Sequence, residues 1–219
     1  MYMLCFDCEV KKLGEYLIYI DDMWRDKMTN LINELTINNL DVVMRKIIHV
    51  RSNTIQIKYA KCVSLIERKT KMTSKSFVDV SVALKKYLSS LDKKFTQYKI
   101  DKVLIEFQWN INDKSKAVGR FLEYHYCRVE DGFTALYVPP LLKNKYYFNL
   151  LSKLDYSNFI SKYSKGYTAN KEHTKANFMY YCDTVGYDYS GISRVYDVAD
   201  AFMMGVAYLI NNNIIESYI

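Results

Sequence analysis

The chain has 219 residues, half of them hydrophobic, with only seven glycines and two prolines. That suits one domain, or one domain with an insertion, around a sizeable core, and it argues against a loop-rich all-β scaffold. The net charge of +7 is spread along the chain and not gathered in a tail, which favours a polyanionic partner and says nothing of the fold.

The chain opens on Tyr2-Met3-Leu4-Cys5-Phe6-Asp7-Cys8, an apolar run that predicts a buried strand ending at an acid. Asp7 and Glu9 interrupt this run, so no secretory leader is expected, and no stretch reaches the ~18 apolar residues of a membrane span. Residues 15–20 are β-prone and are expected to pair with the first strand across a turn containing Gly14. Residues 22–52 read as an inserted, mostly helical segment, with helical spacing at Trp24, Met28, Leu31, Ile32 and Leu35. Residues 54–63 alternate and predict a third strand.

Phe77, Val80, Ala83, Leu84, Tyr87, Leu88 and Leu91 recur at the spacing of an amphipathic helix. Residues 102–109 form a buried-strand pattern with one acid, Glu106, near its end. Residues 114–127 predict a helix, and 134–138 a strand stopped by Pro139-Pro140. Residues 143–165 are rich in Tyr and Lys and expected to be helical, Gly166-Tyr167 breaks them, and a helix restarts over 171–184. After a loop over 186–194, residues 195–210 form a helix that is apolar almost all round. The order predicts an α/β protein: a mixed five-stranded sheet flanked by helices. Cys5, Cys8, Cys62, Cys127 and Cys182 are odd in number and read as reduced thiols of an intracellular protein. Cys5-x-x-Cys8 lies inside a strand, with no second Cys/His pair at zinc spacing.

The last helix carries two acids, Asp197 and Asp200. At i and i+3 they share a face, with Cβ atoms about 5–6 Å apart. Such acids can cap a helix or favour its dipole, and acids such as Asp7 and Glu106 can be ordinary exposed strand ends. Buried together, however, carboxylates need a counter-charge. If the first and fourth strands are neighbours, Asp7 and Glu106 project side by side. Four carboxylates can then hold two divalent ions roughly 3.5–4 Å apart, the arrangement that activates water against phosphorus. Oxygen-only ligands suit Mg²⁺ or Mn²⁺.

Phe6-Asp7, Val103-Leu104-Ile105-Glu106-Phe107-Gln108, Leu136-Tyr137-Val138-Pro139, Gly166-Tyr167 with Lys171, and Asp197-Val198-Ala199-Asp200-Ala201-Phe202 resemble, in this order, the poxvirus-type Holliday junction resolvases. These belong to the RuvC-like branch of the RNase H fold. The resemblance implies one RNase H-like nuclease domain over residues 1–219, acting on branched DNA as a homodimer, one strand per subunit. It implies two Mg²⁺ or Mn²⁺ ions held by Asp7, Glu106, Asp197 and Asp200, and an active-site lysine at Lys171, with Lys175 one turn further on as the fallback. If the source is viral, it implies a place in the host cytoplasm where viral DNA replicates. The family's Asp-x-Gly-x-Lys-Asn after the first strand is replaced by Asp7-Cys8-Glu9-Val10-Lys11-Lys12, so a turn glycine is missing and Glu9 stands close to the expected metals. The span from Asp7 to Glu106 also exceeds the family's, in line with the 22–52 insertion.

His49, His125 and His173 have no mutual ligand spacing, though His173 lies two residues from Lys171. Phosphate-loop and serine-nucleophile signatures are missing from the sequence. Lys143, Lys145, Lys153, Lys162 and Lys165, interleaved with Tyr146, Tyr147, Tyr156 and Tyr163, offer either a DNA-facing surface or a solvated face with tyrosines in the core. The expected function is junction resolution. An RNase H-like nuclease on RNA–DNA hybrids and a non-catalytic DNA-binding scaffold are the alternatives.

Overall fold

Strand direction and side-chain alternation together decide which residues of this chain meet. In the computed structural model, residues 1–8, 12–34, 36, 42–43, 46, 53–66, 76–108, 113–127, 134–145 and 166–214 are described. The elements in chain order are β1 (Tyr2–Cys8), β2 (Leu13–Ile20), α1 (Trp24–Asn33), β3 (Ile55–Val63), α2 (Phe77–Phe95), β4 (Ile100–Glu106), α3 (Asp113–Tyr126), β5 (Thr134–Val138), α4 (Pro140–Lys145), α5 (Tyr167–Val185) and α6 (Val195–Asn211).

The strands form one mixed sheet in the order β3-β2-β1-β4-β5. β1, β2 and β3 are mutually antiparallel, whereas β4 runs parallel to β1 and β5 parallel to β4. β1 is central and covered on both faces, so it reads as a continuous apolar run and not as an alternation. On one face Met3, Cys5, Tyr16, Ile18 and Leu104 pack with α5 and α6. On the other, Leu4, Phe6, Leu17, Val103 and Ile105 pack with Leu84 and Leu88 of α2 and Leu122 of α3.

Local chemistry sets the helix limits. α2 starts at a capping box, in which the Ser76 hydroxyl accepts from the Asp79 backbone N–H and the Asp79 carboxylate accepts from the Ser76 N–H. α2 runs to Phe95, one turn past the predicted stretch, because Phe95 is itself buried. α5 begins at Tyr167 and ends at Gly186, whose φ of 69° is the left-handed conformation of a helix C-terminus. The insertion expected over 22–52 lies in part outside the described residues. Within them, Trp24 and Met28 of α1 form a small separate cluster with Val43. Among the described residues no helix is long and apolar enough to cross a membrane.

Gly14 was expected in the turn between the first two strands and lies instead inside β2, paired with Asp7 on one side and Cys62 on the other. A Cβ at this position would stand 2.2 Å from the backbone oxygen of Asp197. The first turn of α6 therefore rests directly on the strand, and only a residue without a side chain permits that approach.

Glu15, next in β2, is fully buried on the α2 face. Tyr59 of β3 and Tyr87 of α2 both donate hydrogen bonds to its Oε1. Burial pushes the carboxyl up to about 7, against the opposing pull of the two phenols and of Lys61 and Lys94.

Two outcomes are expected. Gly14→Ala should lose about 1–3 kcal/mol of stability in chemical denaturation, since α6 must lift to admit a methyl group. Gly191→Ala, where a Cβ meets nothing within 4 Å, should stay within about 0.5 kcal/mol of wild type. For Glu15, the folded carboxyl titrates near 7 and the unfolded one near 4.5. Its folded-state protonation therefore supports stability fully below the unfolded value, and this support is lost as pH rises through the folded one. Relative to Glu15→Gln, wild type should lose on the order of 3 kcal/mol between those limits; a parallel pH dependence of the two proteins would contradict this.

Candidate active site

The parallel register pairs Phe6 with Ile105. The next residues along, Asp7 and Glu106, therefore stand side by side at the ends of β1 and β4, on the face that α6 covers. Asp197 and Asp200 reach the same region from the first two turns of α6. All four acids are buried, between 2% and 7% exposed.

Asp7 and Glu106 share a hydrogen bond, and their titrations move apart. Burial, the Glu106 charge and that hydrogen bond hold Asp7 well above the ordinary carboxyl range, outweighing the pull of Lys143. Burial acts in the same sense on Glu106, but Lys143, the bond from Asp7 and Lys171 bring it below its ordinary value. Of the pair, Asp7 is the acid held toward its protonated form and Glu106 the one held toward its carboxylate.

Lys143, in α4, joins the two halves of the site. Its Nζ lies 2.9 Å from Glu106 Oε1 and 3.3 Å from Asp200 Oδ1, with the side chain 13% exposed. Burial disfavours its charge, but Glu106, Asp200 and Asp7 outweigh this and raise its pKa above the ordinary lysine value. Lys171 of α5 donates to the other oxygen of Asp200. Gln108 Nε2 donates to Glu106 Oε2 at 2.8 Å. Asp197 stands apart from this knot: its Oδ2 meets Arg194 at 3.5 Å and the Cys62 thiol at 3.5 Å, above the Asp7–Gly14–Cys62 rung of the sheet.

The sequence candidates therefore fall into groups. Asp7, Glu106, Asp200 and Lys171 are gathered together, with Asp197 at the edge. Lys175, the fallback lysine, places its ammonium 4.8 Å from the ring centroid of Tyr196. His125 bonds Asp92 at 2.9 Å and ties α3 to α2. His173 is half-buried on α5, and burial lowers its pKa. Glu9, His49 and residues 146–165 of the Lys/Tyr-rich stretch lie outside the described residues.

Lys143, expected on either a DNA-facing or a solvated surface, lies on neither. Its side chain turns inward, because two buried carboxylates offer it more than solvent does. A signal was present in the sequence: Pro139-Pro140 ends β5 beside β4, so a lysine three residues on stands at the same sheet end as Glu106. Gln108 and Arg194 were likewise not assigned partners.

Among the described residues, no three His, Cys, Asp or Glu side chains are gathered as a ready metal cage; ammonium groups stand between the carboxylates. By donor chemistry the set nevertheless fits a hard divalent cation. It is buried and made of oxygen donors, and a bound cation would oppose the upward shift of Asp7. Beside Glu106 a cavity of about 520 Å³ opens between β4, β5 and α3, lined by Phe107, Gln108, Lys116, Arg120 and Tyr137 among others.

This architecture is the RuvC-like fold. The chain superposes on Thermus thermophilus RuvC with a TM-score of 0.53 at 10% identity, covering 98% of this chain and 96% of that one. The same protein in complex with a Holliday junction substrate gives 0.52 at 10% identity, over 98% and 96% of the two chains. The Fowlpox virus Holliday junction resolvase gives 0.52 at 12% identity, over 97% of this chain and 99% of that one. No family model matches the sequence, and no curated protein matches it. At such identities the likeness establishes the fold.

The two kinds of acid should respond differently to neutralisation in metal-free protein. Asp7→Asn, which mimics the protonated carboxyl, should leave stability at neutral pH within about 1 kcal/mol of wild type. Asp200→Asn removes the counter-charge of two ammonium groups and should cost about 3 kcal/mol or more. Denaturant midpoints compare them directly, and an Asp7 variant as damaged as the Asp200 variant would contradict the upward shift of Asp7.

Proposed function

We propose that the chain is a structure-selective DNA endonuclease that resolves four-way junctions, and that its cleavage depends on Mg²⁺ or Mn²⁺. The observation that carries this reading is the convergence of Asp7, Glu106 and Asp200 from β1, β4 and α6 at one end of a RuvC-like sheet. Asp7, Glu106, Asp197 and Asp200 would hold the metal, which when bound supplies an acidified water and stabilises charge on the leaving oxygen.

The chain's own groups do the rest. Burial of the acids keeps bulk water from competing for them. Lys171 is 20% exposed at its contact with Asp200, so its ammonium can turn to a phosphate oxygen and offset the charge that builds there. Lys116 and Arg120, at the cavity beside Glu106, would take neighbouring phosphates of the same strand. In the reaction a water oxygen bonds to phosphorus, the bond to the 3′ oxygen breaks, and that oxygen gains a proton, leaving a 5′-phosphate and a 3′-hydroxyl. Two symmetric cuts require two copies of the site, so a homodimer belongs to the proposal.

The test is nicking of a synthetic four-way junction beside a linear duplex and an RNA–DNA hybrid, with Mg²⁺ and with chelator. Expected are paired cuts in the junction only, abolished by chelator and reduced at least about 10³-fold in Asp7→Asn. Hybrid cleavage without junction cleavage would move the assignment to an RNase H-like activity. Tight junction binding with no cutting would make the protein a scaffold.

A further inference from the structure

We propose that Lys143 is a built-in substitute for one of the two cations that this set of carboxylates would otherwise take, so that the site accepts a single divalent ion. The inference rests on the metal-dependent reading above and specifies it further.

The first support is position. Lys143 Nζ spans Glu106 Oε1 at 2.9 Å and Asp200 Oδ1 at 3.3 Å, bridging two carboxylates from different elements as a metal ion between them would do. The second oxygen of Asp200 is already held by Lys171, and that of Glu106 by Gln108. An ion joining either acid has to share or displace one of these contacts, and a second ion has to displace Lys143 itself.

The second support is charge. Four carboxylates face three cations of the chain, Lys143, Lys171 and Arg194. With every group ionised, the site is one negative charge from neutrality. One divalent ion makes it singly positive, and the single negative charge of a bound phosphodiester then closes the balance. Two divalent ions would leave an excess of two positive charges over the same phosphodiester, in a site where the acids are at most 7% exposed, and uncompensated charge in such surroundings is costly. Removing the Lys143 ammonium should open the second position.

Lys143 also enters from a different element than the acids. α4 follows β5 directly after Pro139, so its first turn is anchored to the sheet end that carries Glu106. The ammonium is thereby held in place by the fold and is not a surface side chain that happened to swing in.

The experiment counts Mn²⁺ on the full-length chain by calorimetric titration for wild type, Lys143→Arg and Lys143→Met, and records melting temperatures of each with and without Mn²⁺. Wild type and Lys143→Arg are expected to bind one ion per chain. Lys143→Met is expected to bind two, to melt lower than wild type without metal, and to gain more from Mn²⁺ than wild type does. A purely structural ion pair would also lower the melting temperature, but Mn²⁺ would not restore it. Two ions on wild type, or one ion with an unchanged Mn²⁺ shift in Lys143→Met, would overturn the proposal. If Lys143→Met does not fold, the count on wild type and Lys143→Arg decides. No ion on wild type would overturn the metal-dependent reading itself.

Discussion

Four acid side chains buried within one end of a small α/β protein repel one another, and the surrounding fold must answer that repulsion. In water it would be modest, but in a site screened from solvent like charges a few ångströms apart are expensive. Here the answer is distributed. Lys143 spans Glu106 and Asp200, Lys171 takes the far side of Asp200, Arg194 stands by Asp197, and Asp7 is held toward its protonated form beside Glu106. Each compensating group comes from a different part of the chain, so the site exists only when α4, α5 and α6 are all docked on the sheet.

The sheet topology makes this docking possible. Parallel pairing of β1 with β4 brings two strand ends, separated by nearly a hundred residues, to the same edge of the core. α6 then lies across β1 and β2, apolar enough to be buried along most of its length. Its acids would be unwelcome in a core helix placed anywhere else. Gly14 lowers its first turn onto the sheet. The aromatic packing of Phe202 against Tyr16 and Phe178, at centroid distances of 5.1 and 5.5 Å, holds the turns that follow. The core and the site are thus one arrangement: the residues that stabilise α6 also set where Asp197 and Asp200 point.

Much of this was legible residue by residue. Asp7 and Glu106 stood out because each ends a run of apolar, β-prone residues, where an acid has few reasons to be. Asp197 and Asp200 stood out because a spacing of three puts both on one face of an otherwise apolar helix. Lys171 was singled out through family resemblance alone, since a lysine on a helix is by itself unremarkable. Gly14 was misread as a turn residue, because the need for glycine came from a helix some 180 positions away and left no local mark. Lys143 was misread as a surface residue for a related reason. Lysine is usually exposed, and its sequence neighbours say nothing about the two carboxylates it meets. Glu15 has its partners Tyr59 and Tyr87 on other elements, so nothing in its local sequence marks it.

What the sequence by itself determined was the set of elements and the chemistry of the acids, because both follow from local patterns: period two in strands, period three to four in helices, and charges placed where apolar residues should be. The tertiary structure alone decided how those acids are neutralised. Counter-charges, close backbone approaches and shared protons depend on distances between residues far apart in the chain, and such distances are set only when the sheet pairs and the helices pack on it.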